Sequence, residues 1–258
     1  MVCAPCYHSV VPISLTTREK KNRRLSFAYN SLTPSDITNF FKTNYPHLTS
    51  SDLASILSLY PQLPPLPNRN PWYPTTSLAY GEATFICPSI NFLDAFVSSL
   101  LLPNNHTMER RRKVFAYRFN VHDTVLLAAG LGVPHLFDAA AIFGPDNISG
   151  FGSGERSSYK TYNKPVVSMF MAYWISFVRT LDPNTLRQKG SMEWGVWDGD
   201  HPLLDGHGDV SERKERKRKR LLVELNDTRM EEVGEEESER CRFWENLGDR
   251  LEQLRRVS

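Results

Sequence analysis

Leu131-Gly132-Val133-Pro134-His135 runs on through Leu136-Phe137-Asp138 to Ile142-Phe143-Gly144-Pro145. A Gly-x-Pro turn delivers a histidine, and a short apolar-acidic segment with a Phe-Gly-Pro stop follows at once. Gly132 tolerates backbone angles closed to other residues, and Pro134 fixes φ one residue ahead of the histidine. The imidazole of His135 therefore sits on a stiff loop, the placement a general base requires. A single loop histidine is more often a surface residue, so the order of the flanking segments carries the decision.

Downstream, Val166 to Leu181 has helical periodicity, with Val167, Phe170, Met171, Trp174, Phe177, Val178 and Leu181 facing inward, and stops at Asp182-Pro183-Asn184. Lys189 to Glu215 is rich in Gly, Asp and Trp and reads as a loop. Leu221 to Leu225 reads as a final strand. Glu235 to Arg256 reads as a last helix, acidic at its start and basic at its end, with Trp244, Leu247, Leu251 and Leu254 as its apolar stripe.

Upstream, Lys113 to Val121 is the clearest strand, aromatic-rich and bounded by charge. A helix within Leu78 to Leu102 places Ile86, Ile90, Leu93, Val97 and Leu100 on one face. Pro61 to Tyr73, with five prolines, is an irregular loop. Two short helices precede it: Pro34 to Tyr45, capped by Thr33, and Ser51 to Tyr60, capped by Thr49 or Ser50. Val10 to Leu15 reads as a short strand and Arg18 to Arg24 as a basic patch. Strands alternating with helices argue an α/β fold with a mostly parallel sheet.

The 258 residues suffice for one large domain or two small ones. The net charge of +2 gives no field that would favour nucleic acid. The most apolar run, Val166 to Val178, is too short for a membrane span. Met1-Val2-Cys3-Ala4-Pro5-Cys6 lacks the basic start and apolar core of a leader. Sequons nevertheless occur at Asn105, Asn147 and Asn226, a lean towards secretion and glycosylation.

Taken in order, five runs resemble the C-terminal part of a type-B carboxylesterase, the cholinesterase and lipase branch of the α/β-hydrolases. They are Phe85-Ile86-Cys87-Pro88 before Val114 to Phe119; Gly132-Val133-Pro134-His135 with Asp138 and Ile142-Phe143-Gly144; Tyr173 to Phe177 with Asp182-Pro183-Asn184; Asn226 to Glu231; and Arg240-Cys241-Arg242-Phe243-Trp244. The resemblance covers roughly residues 25 to 258, poorly over 185 to 220. It implies a partial α/β-hydrolase domain, its incomplete parallel sheet flanked by helices, after an atypical segment at 1 to 24. Without upstream strands, the strand at 113 to 121 is expected to present an unpaired edge and the chain to be marginally stable.

The resemblance also implies that His135 is the histidine of a Ser-Glu/Asp-His triad, acting on a small-molecule or lipid ester without cofactor or metal. Asp138 stands where the family usually has Glu. The nucleophile should lie upstream in Gly-x-Ser-x-Gly, and no such pentapeptide occurs in the chain. Gly152-Ser153-Gly154 follows the histidine and reads as a flexible loop. The triad acid should precede the Phe27 position by four residues, where Arg23 stands; Glu19 lies one turn earlier. A cation at that place could not orient an imidazole. The chain is therefore expected to be a fragment inactive on its own, with a non-catalytic cholinesterase-like binding module as the alternative. The intact family implies secretion, whereas the missing leader leaves a cytoplasmic chain as the alternative.

Cys87 and Cys241 occupy positions that the resemblance pairs in a long-range disulfide, worth about 4–5 kcal/mol in the chain-entropy model; two free thiols are the alternative in a cytosolic protein. Cys3-Ala4-Pro5-Cys6 lacks the further ligands of a zinc site. Arg213 to Arg220 invites a nuclear or nucleic-acid reading, but without interleaved aromatics a solvated loop is expected. His122, His201 and His207 are expected at the surface, and Trp194 and Trp197 at the edge of the core.

Overall fold

A computed structural model describes residues 2–4, 8–9, 31–100, 113–197 and 217–251. The expectations at Val10 to Arg24, at Cys6, Asn105, His201 and His207, and at Leu254 lie outside these residues. The chain forms two compact units that alternate along the sequence: Met1–Pro5, Ser89–Val121 and Leu136–Glu237 in the first, Cys6–Pro88, His122–His135 and Ser238–Ser258 in the second.

The first unit is built on a four-stranded sheet of order β1-β3-β5-β6, with β1 at Val2–Ala4, β3 at Ala116–Phe119, β5 at Lys219–Val223 and β6 at Arg229–Glu232. β3 runs parallel to both neighbours, pairing Val2 with Ala116 on one side and Tyr117 with Leu221 on the other. The unpaired edge expected of this strand is thus absent, because the N-terminal residues fill it. β6 closes the sheet antiparallel to β5, with Leu221 opposite Met230. Leu221 to Leu225 was expected as the last strand; instead the strand begins two residues earlier and a hairpin partner follows.

That shift has an electrostatic cause. Arg220, expected in a solvated loop, is only 2% exposed. Its guanidinium reaches Glu231 at 2.6 Å and forks onto Glu237 at 2.8 and 2.9 Å, while Arg218 pairs with Asp94 at 2.7 Å. A charge run read without its partners looks solvent-facing; paired across a sheet it extends the strand.

β3 buries Ala116, Tyr117 and Phe119, and its half-buried Arg118 is paired with Glu231. Tyr117 meets Phe170, Trp174 and Trp194 edge-on. Trp194 and Trp197 are fully buried core residues and not edge covers. Their indole N–H groups donate to the Ala116 carbonyl and to Asp94, both at 2.9 Å, so burial leaves no donor unmet. Helix α7 (Lys164–Thr180) buries Val166, Phe170, Tyr173 and Ser176. Val178 and Leu181, expected inward, are 73% and 74% exposed. The inward face passes through two polar-tipped residues that a hydrophobicity pattern skips. Tyr173 donates to the Met192 carbonyl, and Ser176 bridges the Asp182 carbonyl and the Leu186 N–H. Leu181 then turns left-handed at φ 58° and Asp182 caps the turn through Asn184, the stop expected there.

In the second unit α1 (Pro34–Asn44) and α2 (Ser50–Leu59) start with reciprocal capping boxes, Thr33 with Asp36 and Thr49 with Asp52. The capping choice left open between Thr49 and Ser50 falls to Thr49. The proline loop ends at Trp72, and α3 (Tyr73–Gly81) leads into a π-helical turn, Glu82–Ile86, and then α4 (Cys87–Leu100). From Ser89 onward α4 belongs to the first unit; Ile86 in the second unit and Ile90, Leu93 and Val97 in the first are buried as expected, while the side chain of Leu100 lies outside the described residues. β2 (His8–Ser9) runs parallel to β4 (Val133–Pro134). Helix α5 (Thr124–Ala128) precedes β4, and α6 (Ala139–Phe143) packs on α7 in the first unit. The expected last helix is two pieces, α8 (Glu235–Asn246) and α9 (Gly248–Leu251), interrupted at Leu247. None of the described helices is long and apolar enough to cross a membrane.

Glu231 gives a test of the sheet's electrostatics. Burial pushes its carboxyl up, but the hydrogen bond from Arg118 and the charges of Arg220 and Arg118 outweigh that and hold its pKa below the usual value. A carboxyl depressed in the folded state stabilises fully above its unfolded pKa, and that contribution disappears as pH falls through the folded one. Arg118→Met is therefore expected to move the acid-unfolding midpoint to higher pH, followed by near-UV circular dichroism between pH 6 and pH 2. An unchanged midpoint would remove this pair from the account of acid stability.

Candidate functional site

His135 ends a loop whose backbone admits few alternatives. Gly130 and Gly132 both take positive φ, 67° and 60°. A Cβ on Gly130 would lie 2.3 Å from the Pro67 carbonyl oxygen and 2.8 Å from Arg69 Cγ. The Arg69 guanidinium donates to the Gly130 carbonyl at 3.4 Å and rests over the Tyr73 ring at 5.2 Å. Val133 is buried in the β4 pairing, so the histidine follows directly on an anchored strand. The next residue, Leu136, is also left-handed at φ 67° while 57% exposed. Bulky side chains rarely adopt that conformation, and such strain gathers at functional loops.

The His135 ring is partly buried and stacks on Phe85, centroids 4.6 Å apart and planes 23° from parallel. Nothing in the sequence marks Phe85 as its neighbour. Phe85 belongs to the π-helical turn, and both ends of that turn are fixed. At the front, Glu82 is wholly buried, bound through both oxygens by Arg240 at 2.7 and 2.8 Å, and it accepts the Tyr60 hydroxyl at 2.6 Å. Trp244 Nε1 donates to that same hydroxyl oxygen at 2.6 Å. Burial first, and then the Glu82 carboxylate, push the Tyr60 hydroxyl well above its ordinary pKa, so it remains a donor. At the back, Cys87 is bonded to Cys241, 154 residues away, with Cα atoms 4.9 Å apart. Of the two expectations for these cysteines, the disulfide holds.

Asp138, three residues after the histidine, is buried and accepts the Tyr117 hydroxyl at 2.8 Å within the first unit. Gly152, expected in a flexible loop, is wedged: a Cβ there would stand 2.7 Å from the Tyr159 ring and 2.9 Å from Ala140. His122 is exposed, as expected. Glu19 and Arg23, the positions weighed for the triad acid, lie outside the described residues. The described arrangement thus holds one stacked imidazole on a rigid loop, the means to accept and return a proton.

The chain superposes on the crystal structure of Aspergillus niger EstA with a TM-score of 0.70 and 37% identity, covering 87% of this chain and 38% of that one. Its fold is that of an α/β-hydrolase esterase, seen here as a small mixed, open sheet with helices. The pattern of the Carboxylesterase family matches residues 15–221, and the chain belongs to that family. It is 26% identical over 227 residues to secreted lipase 4 of Gibberella zeae, across 83% of this chain and 33% of that protein. Against the acetylcholinesterase of Bungarus fasciatus it is 24% identical over 169 residues, 65% of this chain and 25% of the other. The chain therefore spans about a third of the length of such relatives.

The crowding at Gly130 yields a measurable consequence. Gly130→Ala adds a left-handed penalty of about 1–2 kcal/mol to a clash with backbone, and the His135 loop must shift to relieve it. Thermal unfolding should show a clear drop in Tm, larger than for alanine at Gly154, where nothing lies within 4 Å. Equal effects at both glycines would mean that the Pro67–Gly130 approach constrains nothing.

Proposed function

We propose that this chain carries the proton-shuttling side of a carboxylic ester hydrolase, with His135 as the triad histidine. The match to the Carboxylesterase family across residues 15–221, with the histidine loop inside it, is the observation that supports this reading. In the reaction a serine oxygen attacks the ester carbonyl carbon while its proton passes to His135. The tetrahedral oxyanion then collapses, the C–O bond to the alcohol breaks, and His135 returns the proton to the leaving oxygen. Water repeats the sequence and frees the acid. Residues 25–258 are taken as one part of this domain and residues 1–24 as atypical, although the family match begins at residue 15.

Turnover needs a serine on a nucleophile elbow, and the 258 residues contain no Gly-x-Ser-x-Gly. The purified chain is expected to resist labelling by a fluorophosphonate probe and to leave p-nitrophenyl esters intact. Joined behind the upstream portion of an intact family member, it should hydrolyse them, and His135→Ala should then lower kcat by roughly 10⁴-fold or more. A chimera that hydrolyses esters equally well with alanine at 135 would end the assignment. A folded chimera without turnover would favour the binding-module alternative.

The same reading places the chain in an oxidising, secretory compartment. It is supported by the Cys87–Cys241 disulfide and by likeness to a secreted lipase. Two sequons stand exposed. Asn226 occupies the β5–β6 turn at φ 64°, whereas the Asn147 amide donates to the Phe143 carbonyl at 2.7 Å. Expression through a eukaryotic secretory pathway should give an N-glycan at Asn226, seen as a mass lost on peptide-N-glycosidase treatment and absent in Asn226→Gln. An unglycosylated secreted product would contradict this.

A further inference from the structure

The stack between Phe85 and His135 is a contact that the triad chemistry leaves unassigned. An imidazole has two soft side-chain torsions, and a general base must present one ring nitrogen within hydrogen-bond reach of the proton it takes. A triad acid normally limits that freedom from the far nitrogen. Here a phenyl ring covers one face at 4.6 Å with 23° between planes, the offset overlap that aromatic pairs favour. A ring packed against one face restricts rotation of the imidazole out of that plane.

The phenyl ring is itself held. In the π-helical turn Glu82–Ile86 the Cys87 N–H bonds to the Glu82 carbonyl, one residue wider than an α-helical turn. That extra residue rotates the side chains of the segment away from α-helical register, and such turns recur at functional sites. Glu82 is clamped by Arg240 and Tyr60 three residues before Phe85, and Cys87 is bonded to Cys241 two residues after it. Both clamps lie in the same unit as His135.

We propose that Phe85 is the positioning residue for His135, its ring fixing the imidazole plane in the orientation used for proton transfer. The proposal rests on His135 being the family's base, and its test separates the two. In the full chain with histidine rings isotopically labelled, Phe85→Leu should move the His135 ring-proton resonances downfield as the ring current is lost. It should also raise the carbethoxylation rate of His135 by diethylpyrocarbonate, and Phe85→Tyr should restore both readings. In the hydrolysing chimera, Phe85→Leu should lower kcat roughly 10- to 100-fold with KM little changed. His135 resonances unmoved in a folded Phe85→Leu chain would overturn the proposal. If that variant does not fold, the unaltered protein decides: a nuclear Overhauser contact between the two rings supports the stack and its absence overturns it. Ester turnover indifferent to His135→Ala would remove the base reading and leave the stack in place; the reverse pattern would remove only Phe85.

Discussion

Two contacts join the same pair of segments within a few residues of each other. Glu82 is bound by Arg240, and Cys87 is bonded to Cys241. Their roles differ by magnitude. Closing a loop of 154 residues is worth about 4–5 kcal/mol to the folded state in the chain-entropy model. A buried ion pair repays little more than its own desolvation, yet costs about 3–5 kcal/mol if only one partner is removed. The disulfide therefore carries the larger stabilising contribution, while the ion pair penalises any arrangement that leaves Glu82 buried without Arg240. The π-helical turn Glu82–Ile86 begins at the ion-paired residue and ends next to the disulfide-bonded one.

From that clamp the path to chemistry is short. The turn sets Phe85, and Phe85 covers a face of His135. The other side of the histidine loop is fixed independently, by glycine at 130 against the Pro67 carbonyl and by the β2–β4 pairing. The imidazole of His135 is thus placed from two directions, the placement that the proposed proton transfer would need. In the first unit a different device does comparable work. Arg118, Arg220, Glu231 and Glu237 form a chain of charges that lets a basic segment enter the sheet.

Much of the fold was legible along the chain. Thr33 and Thr49 announce their helices through Asp36 and Asp52, Asp182-Pro183-Asn184 announces the end of α7, and the aromatic run at Val114 to Phe119 announces a central strand. All are local signals whose physics lies within a few residues. Where the structure departs from the local pattern, the deciding partner is distant or is invisible to periodicity. Periodicity points Val178 and Leu181 inward because it carries no information on the partners of Tyr173 and Ser176. The basic run ending at Arg220 reads as solvated because Glu231 and Glu237 stand eleven and seventeen residues beyond it. Trp194 and Trp197 read as edge residues because their acceptors, Ala116 and Asp94, lie far upstream.

The sequence by itself carried the family and singled out His135 on its Gly-x-Pro-His turn, because that turn and the ordered runs around it are contiguous. It also determined that no Gly-x-Ser-x-Gly is present. Only the tertiary structure decided that Phe85 lies against that histidine, that Glu82 is buried on Arg240, and that β1 fills the edge of the central strand. Each of these joins segments 50 or more residues apart, and no local propensity or periodicity encodes a partner at that distance.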